Sequence, residues 1–349
     1  MCAAVAGVTL KTVAKAVGVS PSTVSNAYNK PAQLSAALRE RILATAAELG
    51  YAGPDASARA LRSGHAGAIG VLFTDKLSYA FSDPFAVGFL AGLAEVAEEF
   101  STSLLLMPLS SNDPESGSTA VQQAAIDAAA IFCVPHGHPS LDILSARGVP
   151  AASTDPGTFT DSWVAIDEVA AAVELGEHLT RLGHRDVVVL VDNAAASGSR
   201  PMEMGLGDIG SGNPTQRLEG LRKAMPEARI RLVSGGHNAF ESGVAGAGWA
   251  LDAQDRPTAI IGLSDVQALG ALEALRIRGL TPGRDVTVTG FDDIPAAESA
   301  GLTTIHQPIK DKGRALGRLL LDPTTTERQL LLPTELVVRS SSGPAPKQL

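Results

Sequence analysis

Cysteine is nearly absent from this chain of 349 residues, which holds only Cys2 and Cys133. So few cysteines exclude a disulfide framework. Cys133 lies in the apolar run Ala129-Ala130-Ile131-Phe132-Cys133-Val134 and reads as a small buried hydrophobe in a reducing compartment. Long apolar runs are missing as well. None reaches the ~18 residues that mark a membrane-spanning helix. The N-terminus also has no basic segment leading into a continuous apolar one. The expectation is a cytoplasmic protein with no membrane partner. Catalytic signatures are equally sparse. His136 and His138 have no third ligand at a suitable spacing for a metal. No serine or cysteine sits in a recognisable nucleophile turn. The segment Gly205-Leu206-Gly207-Asp208-Ile209-Gly210 fits G-x-G-x-x-G, but that fingerprint must join a strand directly to a helix. Here it stands well away from the strand expected at 187–192 and runs on into Ser211-Gly212-Asn213-Pro214, so it reads as a surface loop. An enzyme is not expected, nor a cofactor or metal.

What the chain does have is a charge asymmetry. Its net charge is −9, yet residues 1–64 carry Lys11, Lys15, Lys30, Arg39, Arg41, Arg59 and Arg62 against only Glu40, Glu48 and Asp55. The first 64 residues are therefore at +4 and the remainder at −13. A basic head on an acidic body suits a protein that meets phosphate at one end only. Hydrophobic residues make up 45% of the chain, enough for a sizeable core, and 35 Gly with 21 Pro punctuate it with many turns.

The head spells out helices. Leu10, Val13, Ala14 and Val17 fall at i, i+3, i+4, i+7 behind Thr9 as N-cap. Gly18 allows a sharp turn. Ser20 caps a second helix with Pro21 at its first position, where a missing N–H costs nothing. Val24, Ala27 and Tyr28 pack inward, leaving Ser22, Thr23, Ser25, Asn26 and Asn29 on other faces. Ser35 caps a third helix with the stripe Leu38, Ile42, Ala46, Leu49, and Gly50 ends it. Two short helices joined by a tight turn, the second with small polar groups outward, are what major-groove entry requires. From Pro54 to Gly64 a further short helix is expected, of a length that is marginal alone in water.

From Ala68 the pattern changes to alternating strands and helices. Strands are expected near 68–74, 103–109, 130–134, 149–153, 187–192, 229–233, 258–263 and 285–290. Helices are expected near 84–99, 167–182, 215–225, 241–253 and 265–278. Continuous apolar strands in βα order indicate parallel sheets covered on both faces.

The run from Val8 to Asn26 resembles the head of the lactose/galactose repressor family. So do Arg39-Glu40-Arg41-Ile42, Glu48-Leu49-Gly50-Tyr51 and Ala58-Arg59-Ala60-Leu61-Arg62-Ser63-Gly64. The likeness resumes at Gly290-Phe291-Asp292-Asp293, Leu302-Thr303-Thr304-Ile305-His306-Gln307-Pro308 and Leu332-Pro333-Thr334-Glu335, in order along the chain. The resemblance implies an all-α helix-turn-helix head at 8–53, a hinge helix and linker at 54–66 and an effector-binding, dimerising body at 67–340. The body is an α/β pair of Rossmann-like lobes of the periplasmic-binding-protein kind. Its crossovers are expected near 163–166, 290–294 and 322–326, with a disordered tail at 341–349. Pro21, Ser22 and Asn26 occupy the base-reading positions, and Thr9, Thr23, Ser25 and Asn29 the phosphate-holding ones. The family's usual arginine is replaced by Asn26, which either reads adenine instead of guanine or only touches phosphate. In the hinge, Leu61 would wedge into the central base step of the minor groove, with Arg59 and Arg62 as candidates for nearby backbone contacts.

For the body the resemblance assigns Arg217 and Asp292 to gripping an effector, with Phe85 against it. Asp155 and Ser264 join them as residues at strand ends, where such sheets bind ligands. Phe240 or Trp249 would add a wall. Many relatives carry Asn where Ser264 stands. The implied function is a sequence-specific transcriptional regulator, a repressor, controlled by a small polar effector such as a sugar. Its implied partners are pseudo-palindromic double-stranded operator DNA and a second copy of itself. The chain shows no terminal heptad for a larger assembly. A solute-binding receptor with the same body is the alternative, but it needs an export signal and no head.

Overall fold

The computed structural model describes residues 8–53, 64–73, 77–109, 114–135, 137–157, 160–192, 200–209 and 212–346. The chain divides into two compact units, Met1–Gly67 and Ala68–Leu349. The hinge readings at Arg59 and Leu61 fall outside the described residues.

The first unit is three helices around a small core: α1 Leu10–Val17, α2 Pro21–Asn29 and α3 Ala36–Glu48. Thr9 and Thr12 cap α1 reciprocally, and Gly18 turns the chain in the left-handed region at φ 77°. The Ser20 side chain accepts from the Thr23 N–H, which leaves α2 starting on Pro21. Val13, Ala14, Val24, Ala27, Ile42 and Ala46 fill the interior, and Tyr28 meets Tyr51 edge-on with centroids 6.0 Å apart.

The second unit contains two largely parallel sheets. The first sheet takes β1 Ala68–Phe73, β2 Ser103–Pro108, β3 Ala128–Phe132, β4 Ala151–Ser153, β5 Trp163–Ile166 and β12 Gln329–Leu332, in the order β12-β5-β4-β3-β1-β2. The second takes β6 Asp186–Val191, β7 Met202–Met204, β8 Arg229–Ser234, β9 Ala259–Gly262 and β10 Thr287–Thr289, in the order β10-β9-β6-β8-β7. Only β7 runs antiparallel. A two-stranded ribbon of β11 Thr304–His306 and β13 Glu335–Val337 completes the pairing.

Alternation along each strand feeds two faces. Val187, Val189 and Val191 join Leu175, Leu179, Leu218 and Leu221 in one core, while Val188 and Leu190 join Ala247, Leu251 and Leu275 in another. Helices therefore cover both faces. Two are short, α4 Tyr79–Ser82 and α12 Pro295–Ser299. The others are α5 Pro84–Glu99, α6 Pro114–Gln123, α7 Pro139–Ala146, α8 Glu168–Arg181, α9 Asn213–Ala224, α10 Phe240–Leu251, α11 Asp265–Ile277 and α13 Ile309–Leu321. Helices α5 and α13 touch backbone to backbone. A Cβ at Gly92 would collide with the Lys310 carbonyl, and one at Gly313 with the Phe89 carbonyl. That contact fixes the start of α13, which matters for the cleft below. No helix among the described residues is long and apolar enough to cross a membrane.

Two of the expected crossovers and the expected tail need correction. The chain does not leave the second lobe at 290–294, because Phe291 and Ile294 are buried in its two cores. It leaves after His306, and α13 then packs on the first sheet through Leu316 and Leu319. It does not return at 322–326 either. The following residues pair with β5 as strand β12, so the return lies between Leu332 and Glu335. The first crossover does lie at 163–166: these residues form β5 of the first sheet, and Ile166 at its end already packs in a core of the second lobe. Lastly, 341–346 is not a disordered tail. Ser341 is buried and donates to the Val288 carbonyl at 2.6 Å, His184 meets the Gly343 carbonyl at 3.0 Å, and the Ala345 N–H reaches Leu182 at 2.8 Å. Backbone groups along β10 are satisfied by this segment, which ties it down.

Candidate nucleic-acid interface and effector cleft

In the head, most of the residues expected to meet DNA lie on α2. Pro21 and Ser22 are exposed at its first turn, beside the Ser20 hydroxyl, which lies 2.7 Å from Ser22 Oγ and 2.8 Å from Thr23 Oγ1. Thr9 is exposed at the start of α1. Two helix N-termini thus present hydroxyls and N–H groups, the arrangement that suits phosphate oxygens. Ser25 differs: it is buried and accepts a 3.2 Å bond from the Asn29 amide. Asn26 is half-buried, and its Nδ2 donates to Gln33 Oε1 at 3.2 Å across the 3-10 turn Pro31–Gln33. Sequence reasoning missed Gln33, because a glutamine outside any periodic pattern carries no signal.

In the body, Arg217 sits on the first turns of α9 and is buried. Its Nε donates to Glu168 Oε2 at 2.7 Å, and its NH1 donates to the Leu263 carbonyl and lies 3.7 Å from Asp292 Oδ1. Its guanidinium lies over the Phe291 ring, 3.6 Å from the centroid. Burial works against this charge, but Glu168 and Asp292 outweigh it and hold the group above its ordinary pKa. Asp292 stands just past β10 at φ 119°, an unusual conformation for a non-glycine residue. Its Oδ1 accepts from Gln307 Nε2 at 2.6 Å. Burial raises its carboxyl well above the usual range, opposed by Arg217 and reinforced by Asp265 and Asp83.

A second group gathers at the ends of β3 and β4. Cys133 donates its N–H to Thr154 Oγ1 at 3.0 Å, and the Thr154 hydroxyl donates to Asp155 Oδ2 at 3.0 Å. Burial raises the Asp155 carboxyl's pKa, while Lys312 and the Thr154 hydroxyl oppose the rise. Phe85 opens α5 and packs against Phe132 with centroids 5.6 Å apart. Lys312 Nζ lies over the Phe85 ring, 5.8 Å from its centroid. Glu168 links the two groups, since its charge acts on both Arg217 and Asp155.

The remaining expected residues are placed differently. Ser264 is buried as the N-cap of α11, donating to Asn238 Oδ1 and accepting from the Gln267 N–H at 3.3 Å. Phe240 is 41% exposed at the start of α10, and Trp249 is 38% exposed on the same helix. Glu168, Gln307 and Lys312 were not foreseen. The first hides behind Asp167, the better helix cap by sequence, whose side chain does accept from the Ala170 N–H at 2.9 Å. Among the described residues no group of three or more His, Cys, Asp and Glu is placed to hold a metal.

Residues 9–53 match the family described as bacterial regulatory proteins, lacI family, and residues 177–342 match the periplasmic binding protein-like domain. The chain is 38% identical to an HTH-type transcriptional regulator of Mycolicibacterium smegmatis, over 96% of each chain. Among solved structures it resembles a LacI-family transcriptional regulator from Corynebacterium glutamicum. That likeness has a TM-score of 0.71 at 32% identity, covering 95% of this chain and 98% of the other. It also resembles a transcriptional regulator CelR in complex with cellobiose, with a TM-score of 0.66 at 26% identity, covering 96% and 100%. A helix-turn-helix unit followed by paired parallel sheets, with full-length relatives of one kind, places this chain in the LacI family of DNA-binding transcriptional regulators.

Proposed function

We propose that this protein is a cytoplasmic, homodimeric repressor that releases or grips its operator according to an effector held between the two lobes. Each head takes one half of a pseudo-palindrome, with Pro21, Ser22 and Asn26 at base edges and Thr9, Thr23 and Asn29 toward phosphates, while the buried Ser25 supports Asn29 from behind. Residues 54–66 act as the hinge, with Leu61 in the minor groove and Arg59 toward the nearby DNA backbone. The effector is a small polar molecule such as a sugar, bound by Arg217, Asp292, Asp155 and Phe85. The relative solved with cellobiose supports that class. The observation that carries the reading is the buried Arg217–Glu168–Asp292 set at strand ends of the body, joined in one chain to a capped, polar-faced helix pair. Such a pre-arranged set of charge-assisted donors fixes a polar ligand's orientation. Effector and operator must then change each other's affinity by the same factor.

The test is selection of binding sites from random duplex DNA at two salt concentrations. Enrichment of a palindrome is the expected result. Absence of any enriched sequence, with ligand-free protein and with cell extract added, would overturn the reading.

A further inference from the structure

The segment 340–345 is held on the second lobe by hydrogen bonds more than by apolar burial. The Ser341 hydroxyl donates to the Val288 carbonyl of β10 at 2.6 Å and accepts the Thr303 N–H at 2.8 Å. The Ser342 hydroxyl stands 2.8 Å from Thr303 Oγ1 and 3.0 Å from His178 Nε2. The Gly343 carbonyl accepts from the Thr287 hydroxyl at 3.1 Å and meets His184 Nε2 at 3.0 Å. Thr303 leads directly into β11, the strand by which the chain leaves this lobe. Ser341 is the one buried residue of the segment, and its neighbours are small or polar. Such a stretch, rich in hydrogen bonds and poor in buried apolar surface, can open locally while the cores stay intact.

Two histidines grip this segment, and among the described residues neither forms an ion pair. The charged groups around them are paired with one another: Arg181 with Glu177 on α8, Arg185 with Glu227, Asp186 of β6 with Arg229, and Arg284 with Asp285 before β10. Glu174 is exposed one turn before His178. His184 Nε2 faces a carbonyl and so carries its hydrogen, which leaves Nδ1, 3.0 Å from Thr258 Oγ1, to take a second proton. That proton places a cation in a site 2% exposed. Burial holds the ring below its ordinary pKa of 6.5, opposed by the Gly343 carbonyl and reinforced by His178. His178 is held down by burial and then by Arg181. Each ring therefore takes a proton more readily once the segment has lifted away. We propose that segment 340–345 is a proton-sensitive latch on the outgoing crossover. It is closed while His178 and His184 are neutral, and protonation of either ring opens it and frees Thr303. The sign follows from linkage: each neutral ring's contribution is complete above 6.5 and is lost as the pH falls below it. Over that range each histidine raises the open population by up to about tenfold per pH unit. The latch needs neither effector nor operator, so it stands apart from the repressor reading.

The experiment is amide hydrogen exchange of the full chain between about pH 7.5 and 5.5, read as protection factors so that the intrinsic pH dependence of exchange cancels. The N–H groups of Val288, Thr303 and Ala345 report on the latch, since they bond to the Ser341 carbonyl, the Ser341 hydroxyl and the Leu182 carbonyl. Val189 and Ile261, buried in the same lobe, are the controls. The latch amides should lose about tenfold or more of their protection across this range while the controls hold. The ring resonances of His178 and His184 should titrate over the same range. A double variant, His178→Gln with His184→Gln, keeps a side-chain donor at each place and carries no titrating proton, so its latch amides should show no such loss. A flat wild-type profile, a loss shared equally by the controls, rings that do not titrate, or the same loss in the double variant overturns the proposal. Should the double variant fail to fold, the wild-type profile and the ring titrations still decide.

Discussion

Arg217 and Glu168 join two helices of the second lobe, α9 and α8, through a 2.7 Å bond between groups that are both more than nine-tenths buried. Removing one partner of such a pair strands the other. Arg217→Ala leaves Glu168 and Asp292 facing each other without a cation, and the expected loss of stability is about 3–5 kcal/mol. Glu168→Gln keeps a neutral acceptor for the guanidinium and should cost less. Denaturant unfolding of the two variants checks the order. Equal losses would mean that the retained hydrogen bond contributes nothing and the charge of Glu168 carries the whole effect.

Asn26 and Gln33 form an amide pair on the reading side of the head, with Nδ2 of Asn26 engaged by Gln33. That leaves Oδ1 and one N–H of Asn26 for the edge of an adenine. The expected half-site therefore carries A·T at the position this residue faces, discriminated by about 1–3 kcal/mol. Asn26→Arg should move the preference to G·C, and Gln33→Ala should soften it. Binding isotherms on operator duplexes that differ at single base pairs decide the matter. An unchanged preference in Asn26→Arg would mean that the residue touches only phosphate.

Close helix crossing makes a third expectation. A methyl at Gly92 would run into the Lys310 carbonyl, which is backbone and has nowhere to go, whereas Gly207 has open space around it. Gly92→Ala should push α5 and α13 apart and destabilise the body by about 1–3 kcal/mol, while Gly207→Ala should be near neutral. Calorimetry of both variants checks this. Equal melting temperatures would show that the helix pair adapts freely.

Much of the fold was readable because the chemistry is local. Thr9, Ser20 and Ser35 precede their helices and do accept the capping N–H groups, and the continuous apolar run Val187–Val191 is a strand buried on both faces. Helix α13 was not readable. Gly313 and Gly317 each cost a helix about 1 kcal/mol relative to alanine, and they argue against one until α5 is seen lying against them. Lys312 reads as solvated beside Lys310 and Asp311, and only that crossing buries it. The Ser340-Ser341-Ser342 stretch has a loop's composition, yet its hydroxyls close bonds to Val288 and Thr303, partners about forty residues or more away in sequence. Such long-range pairings leave no trace in local spacing.

Asp265 supplies the pH prediction. It is fully buried, its Oδ1 accepts from the Thr304 hydroxyl at 2.6 Å and its Oδ2 from the Ile294 N–H at 2.9 Å. Burial nonetheless pushes its carboxyl up to about 6. A group whose folded pKa exceeds its unfolded value binds its proton more tightly when folded. Its contribution therefore falls as pH rises from the unfolded value of 3.8 through about 6, and is constant above. Other carboxylates act oppositely. Glu95, held at about 2 by Arg314 and Lys310, contributes stability that is lost below pH 4.5. Total stability therefore mixes both signs, and the difference between wild type and Asp265→Asn isolates the one of interest. The asparagine keeps an acceptor for Ile294, its amide can donate to Thr304, and it carries no titrating proton. Relative to this variant, the wild type should lose stability as pH rises from 4 to 7, measured from urea midpoints at matched ionic strength. A difference that does not change with pH would mean that the Asp265 carboxylate is fully compensated by Thr304 and Ile294 where it stands.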